Sequence, residues 1–339
     1  MMNLSLYFLL IAAVAWTATG CETPDGYPEI GSLEKNSDSF EELVPADATI
    51  QKLAESFSWT EGPIWRKSED YLLFTDIPRN TIYRWSEEEG LSPFLRPAGF
   101  TETGPPGREL GSNGLIFDSE DRLVMADHGN RRVARLDEGI FVKETLADRF
   151  EGNRFNSPND LIYHSNGDLY FTDPPYGLEG LQNSPVKELD FSGVYRLTPS
   201  GELTLLTDEL GFPNGIVFSP DEQTLYVSQS DPNRAIWMAY DLQNDGSIEN
   251  GRVLFDATPL VEEGLPGLPD GMAVDRHGNL FATGPGGVLV LSPEGEHLGT
   301  ILTGEPTSNC TFGDDGSTLY ITSNMNLLRI RLSTTGLGF

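Results

Sequence analysis

Apolar residues in this chain come in short bursts broken by turns, and the bursts repeat in one order. The clearest copy is Leu268-Pro269-Asp270-Gly271-Met272-Ala273-Val274, then a turn at His277-Gly278-Asn279, then Leu280-Phe281-Ala282-Thr283. It reads as a sharp turn carrying one polar anchor, a strand, a hairpin and a second strand. The same order recurs around Glu61, Asn113, Asn159, Asn214 and Asn309. In chain order the anchors Glu61, Asn113, Asn159, Asn214, Asp270 and Asn309 are 52, 46, 55, 56 and 39 residues apart. Later strand pieces follow in each unit, such as Thr81-Ile82-Tyr83-Arg84-Trp85 and Gly193-Val194-Tyr195-Arg196-Leu197. Their alternation suits strands with one face in an intersheet core. A repeat of this length with several short strands per unit predicts a propeller blade. The expected fold is therefore all-β, a six-bladed β-propeller. A short helix over residues 42–54 is the only helical expectation.

Equivalent positions of propeller blades converge on the central axis. Every anchor is an acid or an amide, so hard oxygen donors would meet there, which is the donor set calcium takes. A central metal site is thus part of the expectation. The inner strand leaves the anchor face and the second strand returns to it. Residues just after each second strand should therefore ring the same pocket: Asp76, Asp127 with His128, Asp173 with Tyr176, Gln229 to Asp231, and Gly284 with Pro285. Of the four histidines, His164 and His277 fall in far-side hairpins and His297 lies beyond a later strand. Only His128 falls on the pocket side.

Charge narrows the partners. With 22 Lys and Arg against 52 Asp and Glu, the net charge is -30, which argues against nucleic acid or anionic lipid as a ligand. Residues 6–16 form an apolar run too short to span a bilayer, followed by Ala18-Thr19-Gly20-Cys21. Small residues before a cysteine resemble a bacterial lipoprotein signal. The expected organisation is a signal peptide over 1–20, an acidic tether or N-terminal arm over 21–49, and the propeller over 50–339. The chain would be exported to the periplasm and held at a membrane by lipid on Cys21. The other cysteine, Cys310, lies in an apolar run and reads as a buried structural thiol.

Five further motifs carry a resemblance: Ser112-Asn113-Gly114-Leu115, His128-Gly129-Asn130-Arg131-Arg132-Val133, Phe155-Asn156-Ser157-Pro158-Asn159-Asp160, Phe171-Thr172-Asp173-Pro174-Pro175-Tyr176-Gly177 and Pro213-Asn214-Gly215. Together with Leu268 to Met272, and in this order, they resemble the senescence-marker-protein/gluconolactonase (regucalcin-like) family, in its bacterial gluconolactonase branch. The resemblance covers roughly residues 50–335. It implies a divalent metal in the central channel, Ca2+ first and Mg2+, Mn2+ or Zn2+ after it, and hydrolysis of a sugar lactone. Glu61, Asn214 and Asp270 match the usual ligands. Asn159 matches a position that is a ligand in some members and a substrate contact in others. Two residues before it, where animal members carry a sugar-binding arginine, this chain has Ser157.

The expected metal set is Glu61, Asn159, Asn214 and Asp270. The expected substrate contacts are Asn113, His128, Asn159 and Tyr176. Water would attack the lactone carbonyl with Asp270 as general base and Glu61 in reserve. Neither a G-x-S-x-G elbow nor an H-E-x-x-H motif is present, which leaves serine-hydrolase and zincin chemistry without support. Two other readings remain: a phosphotriesterase on the same fold, and a non-catalytic propeller plugged by calcium that binds a partner.

Overall fold

A computed structural model describes residues 26–101 and 107–339. Residues 1–20, expected to be a signal peptide, and Cys21 lie outside the described residues.

Among the described residues six antiparallel sheets of four or five strands follow one another along the chain, with a two-stranded ribbon, Arg149–Phe150 and Asn153–Arg154, after the second. The first blade is Thr60–Arg66, Tyr71–Asp76, Thr81–Ser86 and Gly90–Leu95. The fourth, with the longest strands, is Pro213–Phe218, Thr224–Asp231, Arg234–Leu242 and Ile248–Asp256. The last blade takes three strands from the C-terminus, ending with Asn326–Arg331. Its fourth is Ile50–Ala54, with Leu328 opposite Lys52 and Arg329 opposite Gln51. The first segment of the propeller thus completes the last blade and closes the ring. Side chains reinforce that seam. Trp65 of the first blade stacks on Tyr320 of the last at 5.4 Å, and Ser308 Oγ donates to Thr60 O at 2.6 Å.

The apolar core lies between neighbouring sheets. Phe155, Phe171 and Tyr195, for example, pack with Val124 and Ala126 of the preceding blade. This is why most second strands are apolar on both faces: Tyr71–Asp76 and Leu280–Gly284 are buried throughout.

The segment before Ile50 differs from the expected tether or arm outside the core. Ser32–Lys35 adds a fifth strand to the fifth blade, and Glu29–Ile30 pairs with Ile50–Ala54. The helix of this region is Asp38–Leu43, not residues 42–54. Ser37 caps it, and it buries Phe40, Leu43 and Val44 against Phe281, Val288 and Ile301. Ile50 onward is strand because its apolar residues close the sheet, and that long-range pairing overrides local helical spacing.

Candidate active site

Each anchor sits where its inner strand starts near the axis. The backbone geometry repeats: Asn113 N, Asn159 N and Asp270 N each donate to the second strand of their own blade, at Ala126 O, Thr172 O and Thr283 O, over 2.8–2.9 Å. Hydroxyls on second strands then tie two of the anchors to the blade before them. Thr172 Oγ1 donates to Asn214 O at 2.7 Å, and Ser228 Oγ to Asp270 O at 2.8 Å. The glycine after an anchor is a close-approach residue. A Cβ on Gly62 would lie 2.2 Å from Asn113 O, and one on Gly215 would lie 2.3 Å from Asp270 O. At these glycines the inner strands are packed too tightly for a side chain.

Glu61, Asn113, Asn159, Tyr176, Asn214 and Asp270 all line one cavity of about 620 Å3. Glu61, Asn113, Asn159 and Asn214 are almost wholly buried, and Asp270 is partly exposed. Glu61 Oε2 accepts from Gly62 N at 3.0 Å. Asn214 Nδ2 donates to Ser230 Oγ at 2.8 Å. Asp270 Oδ1 and Asn113 Oδ1 are buried with no hydrogen-bond partner among the described residues. Burial drives the Asp270 carboxyl well above its ordinary pKa, and the charges of Glu61 and Asp160 add to the rise. Burial likewise pushes Glu61 up, with Asp160 contributing. Tyr176 stacks on Phe212 at 5.6 Å, which holds its ring in the wall.

Other residues fall elsewhere. His128 does not line the cavity. It is fully buried behind it, and burial pushes its pKa down to about 3, so the imidazole is neutral. Asn309 lines a different cavity together with Asp160 and Cys310, and its Oδ1 accepts from Cys310 N at 2.8 Å. Asp76, Asp127 and Asp173, expected around the pocket, are fully buried and hold backbone or cations instead. Asp173 accepts from Asn156 N and Ser157 N, Asp76 from Ser58 N, and Asp127 from Lys143 Nζ. A carboxylate ending a buried strand is stable there only when such donors satisfy it. Ser157 is turned away from the cavity, with its Oγ donating to Pro174 O at 2.6 Å.

Three residues of this region carried no sequence assignment. Asp160 takes the place that glycine occupies after other anchors. Its carboxylate accepts from Leu161 N at 2.9 Å, and burial lifts it to about 6. Arg108 and Glu109 reach the cavity from the connection between the first two blades. The repeat did not reveal them because that connection belongs to no repeated unit.

Among the described residues no group of three or more His, Cys, Asp or Glu side chains could hold a metal ion. The set on the cavity is instead two carboxylates and two amides, Glu61, Asp270, Asn159 and Asn214. It fits a hard divalent cation: all donors are oxygen, two carry charge, and one buried carboxylate oxygen has no partner. Two buried carboxyls held above their ordinary pKa, with Glu61 adding to the rise at Asp270, are a cost that a cation removes.

The chain resembles known proteins over most of its length. The chain is 42% identical over 315 residues to a gluconolactonase of Zymomonas mobilis, covering 91% of this chain and 88% of that protein. The solved structure of a gluconolactonase from Xanthomonas campestris is 32% identical with a TM-score of 0.77, and covers 92% of this chain and all of that one. A calcium-binding regucalcin from Agrobacterium tumefaciens has the same fold at 20% identity and a TM-score of 0.67, over 84% of this chain and 94% of its own. A family model for the SMP-30/gluconolactonase/LRE-like region matches residues 59–325, and the chain belongs to that family.

Proposed function

We propose that this chain hydrolyses sugar lactones, aldonolactones such as glucono-1,5-lactone first among them. A divalent cation, calcium foremost, is held by Glu61, Asn159, Asn214 and Asp270. The observation that carries the reading is the pairing of Glu61 with Asp270 on one cavity, flanked by amides, with Asp270 Oδ1 lacking any partner among the described residues. The gluconolactonase relatives supply the reaction class.

When bound, the cation polarises the lactone carbonyl as a Lewis acid. Asp270 takes a proton from the attacking water, whose oxygen bonds to the carbonyl carbon. The ring C–O bond then breaks, and the departing ring oxygen takes up the proton, which leaves a hydroxy acid. Asp270 is partly exposed on the cavity, and its Oδ1 has no partner among the described residues, which suits it to meet the attacking water. Asn113 and Asn159 present amides to the substrate. Trp59, Ile77, Pro78 and Leu268 form an apolar wall that sheds water from the bound ring. Parallel assays of an aldonolactone panel and a phosphotriester test the class. Turnover of the lactones is expected, and turnover of the phosphotriester alone would refute it.

We further read residues 1–20 as a lipoprotein-type export signal, with periplasmic placement and lipid on Cys21. Mass spectrometry of the mature N-terminus tests this. An intact Met1 would refute it.

A further inference from the structure

Besides Glu61 and Asp270, two charged side chains line the cavity among the described residues, Arg108 and Glu109. Arg108 is the one cation there. Backbone contacts hold Arg108 and the residues after Glu109. Arg108 N donates to Gly177 O at 2.9 Å, Gly111 N donates to Ile77 O at 2.8 Å, and Phe100 N donates to Leu110 O at 2.6 Å. The seat is tight. A Cβ on Gly107 would lie 2.2 Å from Gly177 O, and one on Gly177 would lie 2.3 Å from His128 Cδ2. Arg108 Nη1 donates to Tyr176 O at 3.2 Å.

Glu109 stands between two nitrogens. Its Oε1 is 3.4 Å from Arg108 Nη1, and its Oε2 is 3.4 Å from His128 Nε2. The His128 contact is not an ion pair, because burial keeps that imidazole neutral. Neither ring nitrogen of His128 makes a hydrogen bond among the described residues, and the Nε2 edge faces Glu109 from behind. Glu109 keeps a side chain about one-fifth exposed, and the cavity is where it is exposed.

A sugar lactone differs from a bare lactone ring in its hydroxyls and its hydroxymethyl arm. Each hydroxyl is both donor and acceptor. A carboxylate beside a guanidinium, fixed on a rigid seat, offers acceptor and donor together, and charge-assisted hydrogen bonds are the strong ones. We propose that Arg108 and Glu109 read the ring hydroxyls of the lactone and set the preference for polyhydroxylated substrates, with His128 as a positioning residue for Glu109. This rests on the lactonase reading above.

The test compares glucono-1,5-lactone with δ-valerolactone, which has the same ring and no hydroxyls. Glu109→Ala and Arg108→Ala should each lower kcat/KM for gluconolactone by roughly 10–100-fold, from the loss of hydrogen bonds to charged groups. The loss should lie mainly in KM, and the ratio of kcat/KM for the two lactones should fall at least about 10-fold. His128→Ala should move the ratio in the same direction. Glu109→Gln keeps an acceptor oxygen and should fall between wild type and Glu109→Ala, and it carries the test if Glu109→Ala does not fold. Equal losses on both lactones, or none on either, would overturn the assignment while leaving the lactonase reading intact. A wild-type protein that turns over neither lactone would overturn both.

Discussion

Replacing Asp270 by Asn should raise stability without metal and weaken the response to it. In the absence of a cation, Asp270 Oδ1 is a buried oxygen without a partner among the described residues, on a carboxylate crowded by the charges of Glu61 and Asp160. Leaving such a group unsatisfied costs about 1–3 kcal/mol, and the neutral amide recovers part of it. For a chain of 339 residues, the unfolding entropy is about 0.7 kcal/mol/K, so 1–3 kcal/mol corresponds to roughly 1.5–4 °C in Tm. With chelator at pH 8, Asp270→Asn should therefore melt up to about 4 °C above wild type. Calcium at about 100 times its Kd adds about 2.7 kcal/mol to the wild type, again near 4 °C, and far less to the variant. Turnover of gluconolactone by the variant should stay roughly 10²–10⁴-fold low even at saturating calcium, since the base is gone. Differential scanning fluorimetry with EGTA and with calcium reads the first two effects, and a pH-stat reads the third. A variant that melts below wild type in EGTA, yet gains the same shift from calcium, would refute the charge-crowding argument. Full turnover at saturating calcium would remove Asp270 as base.

Other substitutions and conditions separate the remaining roles. Asn214→Ala should weaken metal binding but regain turnover at high calcium, because an amide takes no proton from water; a calcium titration of activity checks this. In chelator, Tm should fall as pH rises from about 4.5 to 8. Burial holds the folded-state pKa of Glu61 at about 8, Asp160 at about 6, and Asp173 and Glu109 at about 7, all above the unfolded values, so the folded state binds more protons across that window and loses that advantage as they leave. Calcium should flatten this slope, which melting curves across pH would show. Phe40→Ala empties a site only 1% exposed and should cost about 3–5 kcal/mol, read as a lower urea midpoint.

The six-fold order was legible because a propeller writes one pattern per blade, with an acid or amide at the axis each time. The anchors Glu61, Asn159, Asn214 and Asp270 could be read as a set for that reason, and the structure puts them on one cavity. Position relative to strand ends was a weaker guide. It put Asp76, Asp127 and Asp173 around the pocket, but their carboxylates are consumed by backbone donors and, at Asp127, by Lys143 of the outermost strand of its blade. The same criterion placed His128 on the pocket side, where the seat of Glu109 covers it. The packing of Phe40 and Val44 was hidden because an acidic segment with few apolar residues carries no period. Arg108 and Glu109 were invisible for a different reason: they belong to a connection with no counterpart in other blades.

The central claim, a cation-dependent lactonase site on the anchors, is tested most directly by acid release from glucono-1,5-lactone in a pH-stat. The same enzyme sample is assayed as purified, after EGTA, and after calcium is restored. Acid release well above the spontaneous rate, lost with EGTA and regained with calcium, is the predicted result. A rate no faster than the uncatalysed reaction, or one that EGTA leaves unchanged, would contradict it.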